Sequence, residues 1–272
     1  MKKYDVVALG ELLIDFTENG TSAQGNPIYE ASPGGAPCNV LSMLTRLGRK
    51  TAFIGKVGQD IFGKQLKAAL NEVGIDTCNL MMDEEARTTL AFVETFSDGD
   101  RDFSFYRNPG ADMMLRAEEV NIELVKNTEI FHFGTLSMTH KEVRNATKQA
   151  VAAAKEAGAV VSFDPNLREQ YDIPLIMLSA GKEGSRAYYK DMRVEVKPFL
   201  QENTIETTGA GDTFGACCLH HMLKYGLQNM REENLRQMLT FANAAASIIT
   251  TRKGALRVMP GEGEVRELMG KR

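Results

Sequence analysis

Only four cysteines occur in the 272 residues, and Cys38, Cys78, Cys217 and Cys218 show no C-x-x-C spacing. That absence argues against a disulfide scaffold or a zinc ribbon and leads us to expect reduced thiols and a cytoplasmic protein. Long apolar runs are missing too. No stretch approaches the roughly 18 residues of a membrane helix. Met1–Phe16 opens with two lysines, but Asp5, Glu11 and Asp15 interrupt its apolar residues, so neither a signal peptide nor an anchor is expected. Positive charge is not in excess: the net charge is −4, which gives no footprint for nucleic acid or a membrane surface. There is no internal repeat and no low-complexity tract. What remains is ordinary globular composition, 43% hydrophobic and 25% charged.

Strand and helix patterns alternate along the chain. Tyr4–Gly10, Thr51–Val57, Glu129–Phe133, Ala159–Phe163 and Leu175–Ser179 read as strands. Helices are expected over Gly34–Leu47, Phe62–Val73 and Glu142–Ala157, with Phe214–Tyr225 and Glu232–Thr250 finishing the fold. This alternation predicts an α/β fold with a mostly parallel central sheet covered on both faces. Two parts break the pattern. Residues 12–32 are polar with weak strand character, and Thr88–Phe96 with Asp102–Arg107 form a hairpin signal around Asp98-Gly99. Together, segments near 12–32 and 87–110 are expected to build a small β-sheet lid on one domain spanning 1–272. Tyr188–Val196 reads as part of a closing hairpin.

One connection is too short. Parallel strands need a crossover of a dozen residues or more. Only Asp164–Pro174 separates Ala159–Phe163 from Leu175–Ser179. Either the two strands are not parallel neighbours or a segment is missing from the chain, and the second is expected.

The stretch with the densest chemistry is Glu206–Gly215, ETTGAGDTFG. Gly209, Ala210 and Gly211 precede Asp212 at the start of a helix, where unpaired N–H groups and the helix dipole favour an anion. A carboxylate in such a turn is either an N-cap or the acceptor of a proton from a hydroxyl attacking a bound phosphate. Other motifs carry less. Gly58–Lys64, GQDIFGK, nearly matches a phosphate loop, but Gln65 supplies no hydroxyl for Mg²⁺, so an ordinary turn is expected. Gly209–Gly215 is not a dinucleotide fingerprint, because only helices follow it. Cys217 and His221 share a helix face without a second ligand pair, so packing is expected rather than metal. His132, in an apolar strand, reads as structural. Asp15 and the group Gly34, Gly35 and Asn39 are each either ordinary loop and helix punctuation or ligand contacts.

Taken together these residues resemble the ribokinase-like, PfkB-type carbohydrate kinases. One signature is matched by Gly34-Gly35-Ala36-Pro37-Cys38-Asn39 through Gly48, the other by Thr207–Phe214. Gly10-Glu11 with Asp15, Gly55–Gly58 with Asp60 and Gly63, and Thr251–Ala255 also match. Phe103–Leu115, Phe131–Ser137 and Phe163–Arg168 resemble the fructokinase branch.

The resemblance implies a ribokinase-like three-layer sandwich with a β-sheet lid, and transfer of the γ-phosphoryl of ATP to a sugar hydroxyl. The expected product is fructose 6-phosphate. A 2-keto-3-deoxygluconate kinase, a ribokinase or a non-catalytic sugar-binding protein of the same fold are the alternatives. By the same resemblance Asp212 is the base, and the amides of Gly209, Ala210 and Gly211 form the anion hole. Asp15, Gly34, Gly35 and Asn39 hold the sugar, Phe105 and Arg107 reach it from the lid, and Asn166 and Arg168 lie near sugar and phosphate. Ser179, Gly181, Gly184 and Asn243 line the nucleotide pocket. Mg²⁺ accompanies ATP, and Glu206, Thr208, Ile249, Arg252 and Gly254 fall where relatives hold K⁺. A homodimer is compatible with the resemblance. Two departures stand out. Glu206 and Val258 occupy positions where the family usually has Asp and often Ser. The family's Asn-x-x-Glu element, tied to Mg²⁺ and phosphate, is absent after Arg168.

Overall fold

In a computed structural model the described residues are 2–95, 101–164 and 174–271. They cluster into two units, one of residues 2–41 and 50–164, the other of residues 42–49 and 174–271.

The first unit is built on β1 (Tyr4–Leu9), β4 (Thr51–Gly58), β5 (Asp76–Asp83), β8 (Thr128–Gly134) and β9 (Val160–Asp164). They form a five-stranded sheet in the order β5-β4-β1-β8-β9, every pairing parallel. Helices α2 (Ile61–Glu72), α3 (Ile122–Lys126) and α4 (Lys141–Glu156) belong to this unit, and α1 (Ala36–Arg46) starts in it. Parallel strands buried on both faces read as continuous apolar runs, and β1 and β4 are buried nearly throughout. Val7, Leu9, Ile54 and Phe131 pack with Ala146, Ala150 and Ala154 of α4. The small alanines let that helix lie close to the sheet. Strand β5 was not expected from the sequence. Its run of Thr77-Cys78-Asn79 lacks the apolar continuity of its neighbours.

A second sheet in this unit has four strands in the order β3-β2-β6-β7. Strand β2 (Leu13–Thr21) pairs antiparallel with β3 (Pro27–Gly34) and parallel with β6 (Leu90–Thr95), which pairs antiparallel with β7 (Arg101–Tyr106). Phe92 stacks on Phe16 at 5.0 Å and meets Tyr106 edge-on at 5.3 Å, tying the strands together through one aromatic row.

The other unit holds a three-stranded antiparallel sheet, β10 (Leu175–Ser179), β11 (Ser185–Tyr189) and β12 (Met192–Val196), in that order. It also holds α5 (Ala210–Tyr225), α6 (Glu232–Ile249) and α7 (Glu262–Gly270). The two helices expected to finish the fold are therefore followed by a third, α7, whose buried Val265 is the single apolar anchor of a polar sequence. Among the described residues β10 pairs only with β11, and β9 only with β8. No helix of the described chain is long and apolar enough to cross a membrane.

Candidate active site

On the first unit the register of β2 against β3 places Leu13 opposite Gly34 and Asp15 opposite Ser32. A side chain at Gly34 would overlap the Asp15 carboxylate, and one at Gly35, whose φ is +123°, would meet the Glu11 carbonyl at 2.5 Å. Glycine is thus required at both positions so that the strand end can lie against Asp15. Asn39 follows one turn into α1, 4% exposed. The fold sets Gly34 against Asp15, and the Asn39 N–H donates to Gly35 O at 3.0 Å. One member was not singled out for a role: Glu11 is buried, and its Oε1 accepts the Ala36 N–H at 2.9 Å at the start of α1. A carboxylate next to that Gly-Gly pair was the available signal.

Phe105 is 49% exposed on β7. Arg107, just beyond β7, is only 10% exposed along its side chain and is engaged by Asp112. Asn166 and Arg168 lie outside the described residues.

The turn Gly58–Lys64 is closed by its own acid. Asp60 accepts from Phe62 N and Gly63 N, capping α2, and from Thr88 N and Oγ1. Burial alone would raise its pKa, but these four donors outweigh it and hold the carboxyl below its ordinary value. A carboxylate in the place of an anion leaves no phosphate loop.

On the second unit, α5 begins at Ala210 with Gly209 as its N-cap, φ +74° and no side-chain cap bond. Asp212 is therefore not the N-cap. It is the third residue of the helix and partly exposed. Gly209 takes the left-handed conformation that glycine tolerates, and a Cβ there would meet Ala255 Cβ at 2.7 Å. The Ala210 N–H turns back to Thr207 O at 3.2 Å. Gly211 follows in the first turn of the helix, with Asp212 next to it.

Gly181 and Gly184 flank the turn from β10 to β11, and Ser179 pairs with Ser185 at its base. Asn243 on α6 is 8% exposed, and its Nδ2 donates to Lys197 O at 3.1 Å. Its amide nitrogen holds the chain leaving β12.

Of the positions expected to hold K⁺, Glu206 is joined to Gly254 and Ile249 to Arg252. Glu206 Oε1 accepts the Gly254 N–H at 2.7 Å, Ile249 O accepts the Arg252 N–H at 3.0 Å, and Arg252 Nη1 donates to Val258 O at 2.8 Å. Arg252 Nη2 also pairs with Glu264. A fixed guanidinium stands among these donors, and Val258 offers no side-chain oxygen. No step below uses a monovalent cation. Among the described residues no group of three or more His, Cys, Asp or Glu is arranged to hold a metal. Cys217 and His221 are packed helix residues, with Cys217 O against His221 Nδ1 at 2.9 Å, and burial pushes the thiol well up. His132 is enclosed against Ser162 Oγ at 3.0 Å, and burial lowers it to about 4 despite the nearby Asp164.

The pfkB family carbohydrate kinase profile matches residues 3–177 and 170–261. The chain belongs to that family. Fructokinase-1 of Zea mays is 38% identical over 316 aligned residues, covering 98% of this chain and 98% of its own. Probable fructokinase-2 of Arabidopsis thaliana is 37% identical over 309 residues, 95% of this chain and 94% of its own. Fructokinase with bound ATP from Xylella fastidiosa matches with TM-score 0.87 at 26% identity, covering 100% of this chain and 99% of that one. The fold is thus ribokinase-like, and the enzyme is a carbohydrate kinase that transfers a phosphoryl group to a sugar hydroxyl.

The first unit also has a cleft of about 620 Å³ at the ends of β4 and β5, lined by Lys56, Asp83, Arg116 and Glu119 among others. Lys56 is held by Glu119 at 2.7 Å and Asp83 at 3.2 Å. Burial would raise both acids, but the hydrogen bonds and Lys56 hold each below its ordinary value. Lowered folded-state values stabilise the protein above the unfolded carboxyl range and lose that contribution as pH falls through them. The melting temperature is expected to be level from pH 7 to about 5 and to drop below about 4. Lys56→Met should lower it at pH 7 and flatten the acid limb, both measured by calorimetry. An unchanged acid limb in that variant would remove the triad as its cause.

Proposed function

We propose that this kinase transfers the γ-phosphoryl of MgATP to fructose, giving fructose 6-phosphate and ADP. The observation that carries this reading is the turn at the start of α5, where first-turn amides and the Asp212 carboxylate stand together. The sugar hydroxyl oxygen bonds to the γ-phosphorus as the bond to the β–γ bridging oxygen breaks, and Asp212 takes the hydroxyl proton. The first-turn backbone at Gly209, Ala210 and Gly211 and the helix dipole oppose the charge on the phosphoryl oxygens. Asp15, Gly34, Gly35 and Asn39 bind the sugar, Asp15 and Asn39 through hydroxyls, and Phe105 offers an apolar face. Ser179, Gly181 and Gly184 receive the nucleotide, with Asn243 fixing the backbone beside them. Asn166 and Arg168 stay assigned to sugar and phosphate by motif alone. Fructokinases among the relatives support the choice of sugar, including the Vibrio cholerae enzyme solved in a fructose, ADP and calcium ion bound form, 25% identical with TM-score 0.86.

The reading includes an absent segment between 168 and 175. Alignment with the maize relative runs over 316 residues against the 272 of this chain. The family profile breaks into two overlapping matches near residues 170–177. Among the described residues β9 and β10 lie in different sheets, which fits the other explanation of the short connection, that the two are not parallel neighbours. A sugar-binding protein without turnover is the second reading, favoured by loss of the Asn-x-x-Glu element.

The test is ADP release on a panel of fructose, 2-keto-3-deoxygluconate, ribose and glucose. Fructose is expected to give the highest kcat/KM, by about tenfold or more over the others. Fructose binding by calorimetry without ADP release from any sugar would select the second reading.

A further inference from the structure

Arg107 stands just beyond β7 with its guanidinium almost wholly spent on the protein. Nε donates to Asp112 Oδ2 at 2.8 Å and Nη2 to the same oxygen at 2.5 Å. Nη1 reaches Thr139 Oγ1 and Nη2 reaches Leu136 O, both at 3.3 Å, on the turn that follows β8. Asp112, 1% exposed along its side chain, takes its other oxygen to Thr89 Oγ1 at 2.5 Å, at the base of β6. Thr88, the next residue back, is held by Asp60 at the N-terminus of α2. The same loop is fastened by Ala111 N to Arg87 O at 2.8 Å and by His140 Nδ1 against Met113 O at 3.2 Å. There is no room for slack, because a side chain at Gly110 would overlap Thr89 Oγ1.

We propose that Arg107 and Asp112 are positioning residues that clamp the four-stranded sheet to the turn after β8, and that Arg107 serves transfer through this clamp rather than as a sugar ligand. A buried ion pair contributes little net stability compared with an apolar pair, but deleting one partner leaves the other charged and uncompensated. Such a pair suits a joint that must hold one geometry. Its loss frees the base of the sheet expected to act as lid, and a loose lid admits water. Water then competes with the sugar: its oxygen bonds to the γ-phosphorus, the β–γ bridge breaks, and inorganic phosphate and ADP leave.

The kinetic part of this inference rests on the kinase reading, so the experiment has two arms. In the first, amide exchange over residues 104–115 is compared in the wild type, Asp112→Asn, Asp112→Glu and the milder Thr89→Val. Asp112→Asn should accelerate exchange by about tenfold or more, with Asp112→Glu in between. Unchanged exchange would overturn the clamp whether or not the protein phosphorylates fructose. In the second, ADP released per fructose 6-phosphate formed is measured for Arg107→Ala, Asp112→Asn and the double variant. Each single change should raise that ratio by about fivefold or more with the fructose KM within about twofold, and the double should be no worse than the worse single. A fructose KM raised about tenfold by Arg107→Ala but not by Asp112→Asn would make Arg107 a sugar ligand and overturn the proposal.

Discussion

Asp212→Asn is expected to lower fructose phosphorylation by a factor of about 10² to 10⁴ while ATP binding is kept. The reason lies in where Asp212 sits. It is the third residue of α5, past the Gly209 cap, so its carboxylate is not needed to start the helix. Asparagine has the same shape and leaves the first-turn amides in place, but it cannot accept the hydroxyl proton. Removing a negative charge beside bound phosphate also relieves repulsion, so affinity for ATP should stay level or rise. A coupled assay for ADP with calorimetric titration of ATP checks both. Turnover within about threefold of wild type would mean another group takes the proton, and lost ATP binding would mean Asp212 serves structure first.

Grafting the internal segment that maize fructokinase-1 carries beyond this chain into the connection between β9 and β10 should have the second largest effect. Among the described residues β9 ends its sheet, and Phe163 on it is 43% exposed. An open strand edge next to an exposed aromatic residue is a template for unwanted pairing between molecules. A parallel neighbour needs a crossover that this connection is too short to supply. With the segment grafted in, turnover should rise by about tenfold or more, since positioning supplies most of the catalysis in phosphoryl transfer. Association at high concentration should fall, which light scattering would show. Equal turnover and equal association with and without the graft would mean the chain works as it stands.

The candidate site was legible to different depths in the sequence. Gly34-Gly35 and Gly209 could be read because a backbone that must approach a carboxylate or turn left-handed admits little but glycine. Asp212 could be placed at a helix start but not told from an N-cap, since a carboxylate serves either role at that spacing. The structure decided for Gly209 as cap. Arg107 was read as a sugar ligand, and its partner Asp112 was not singled out, because a buried ion pair between residues five apart in a loop has no periodic signature. Thr89, which completes that network, lies on another strand. Strand β5 and helix α7 were missed for a related reason. Both are polar segments held by contacts with neighbours rather than by their own pattern.

By itself the sequence determined the class of the fold, four of the five parallel central strands, the two glycine-bearing turns and the family, since each depends on local periodicity or on residues that only one backbone geometry admits. Leu175–Ser179, read as a further parallel strand, pairs antiparallel in the three-stranded sheet. Only the tertiary structure decided that the Arg252 guanidinium is held by Val258 O and Glu264, that Asp60 closes the near-match to a phosphate loop, and that Arg107 is spent on Asp112. Each of these turns on which donor meets which acceptor, and spacing along a chain does not fix that.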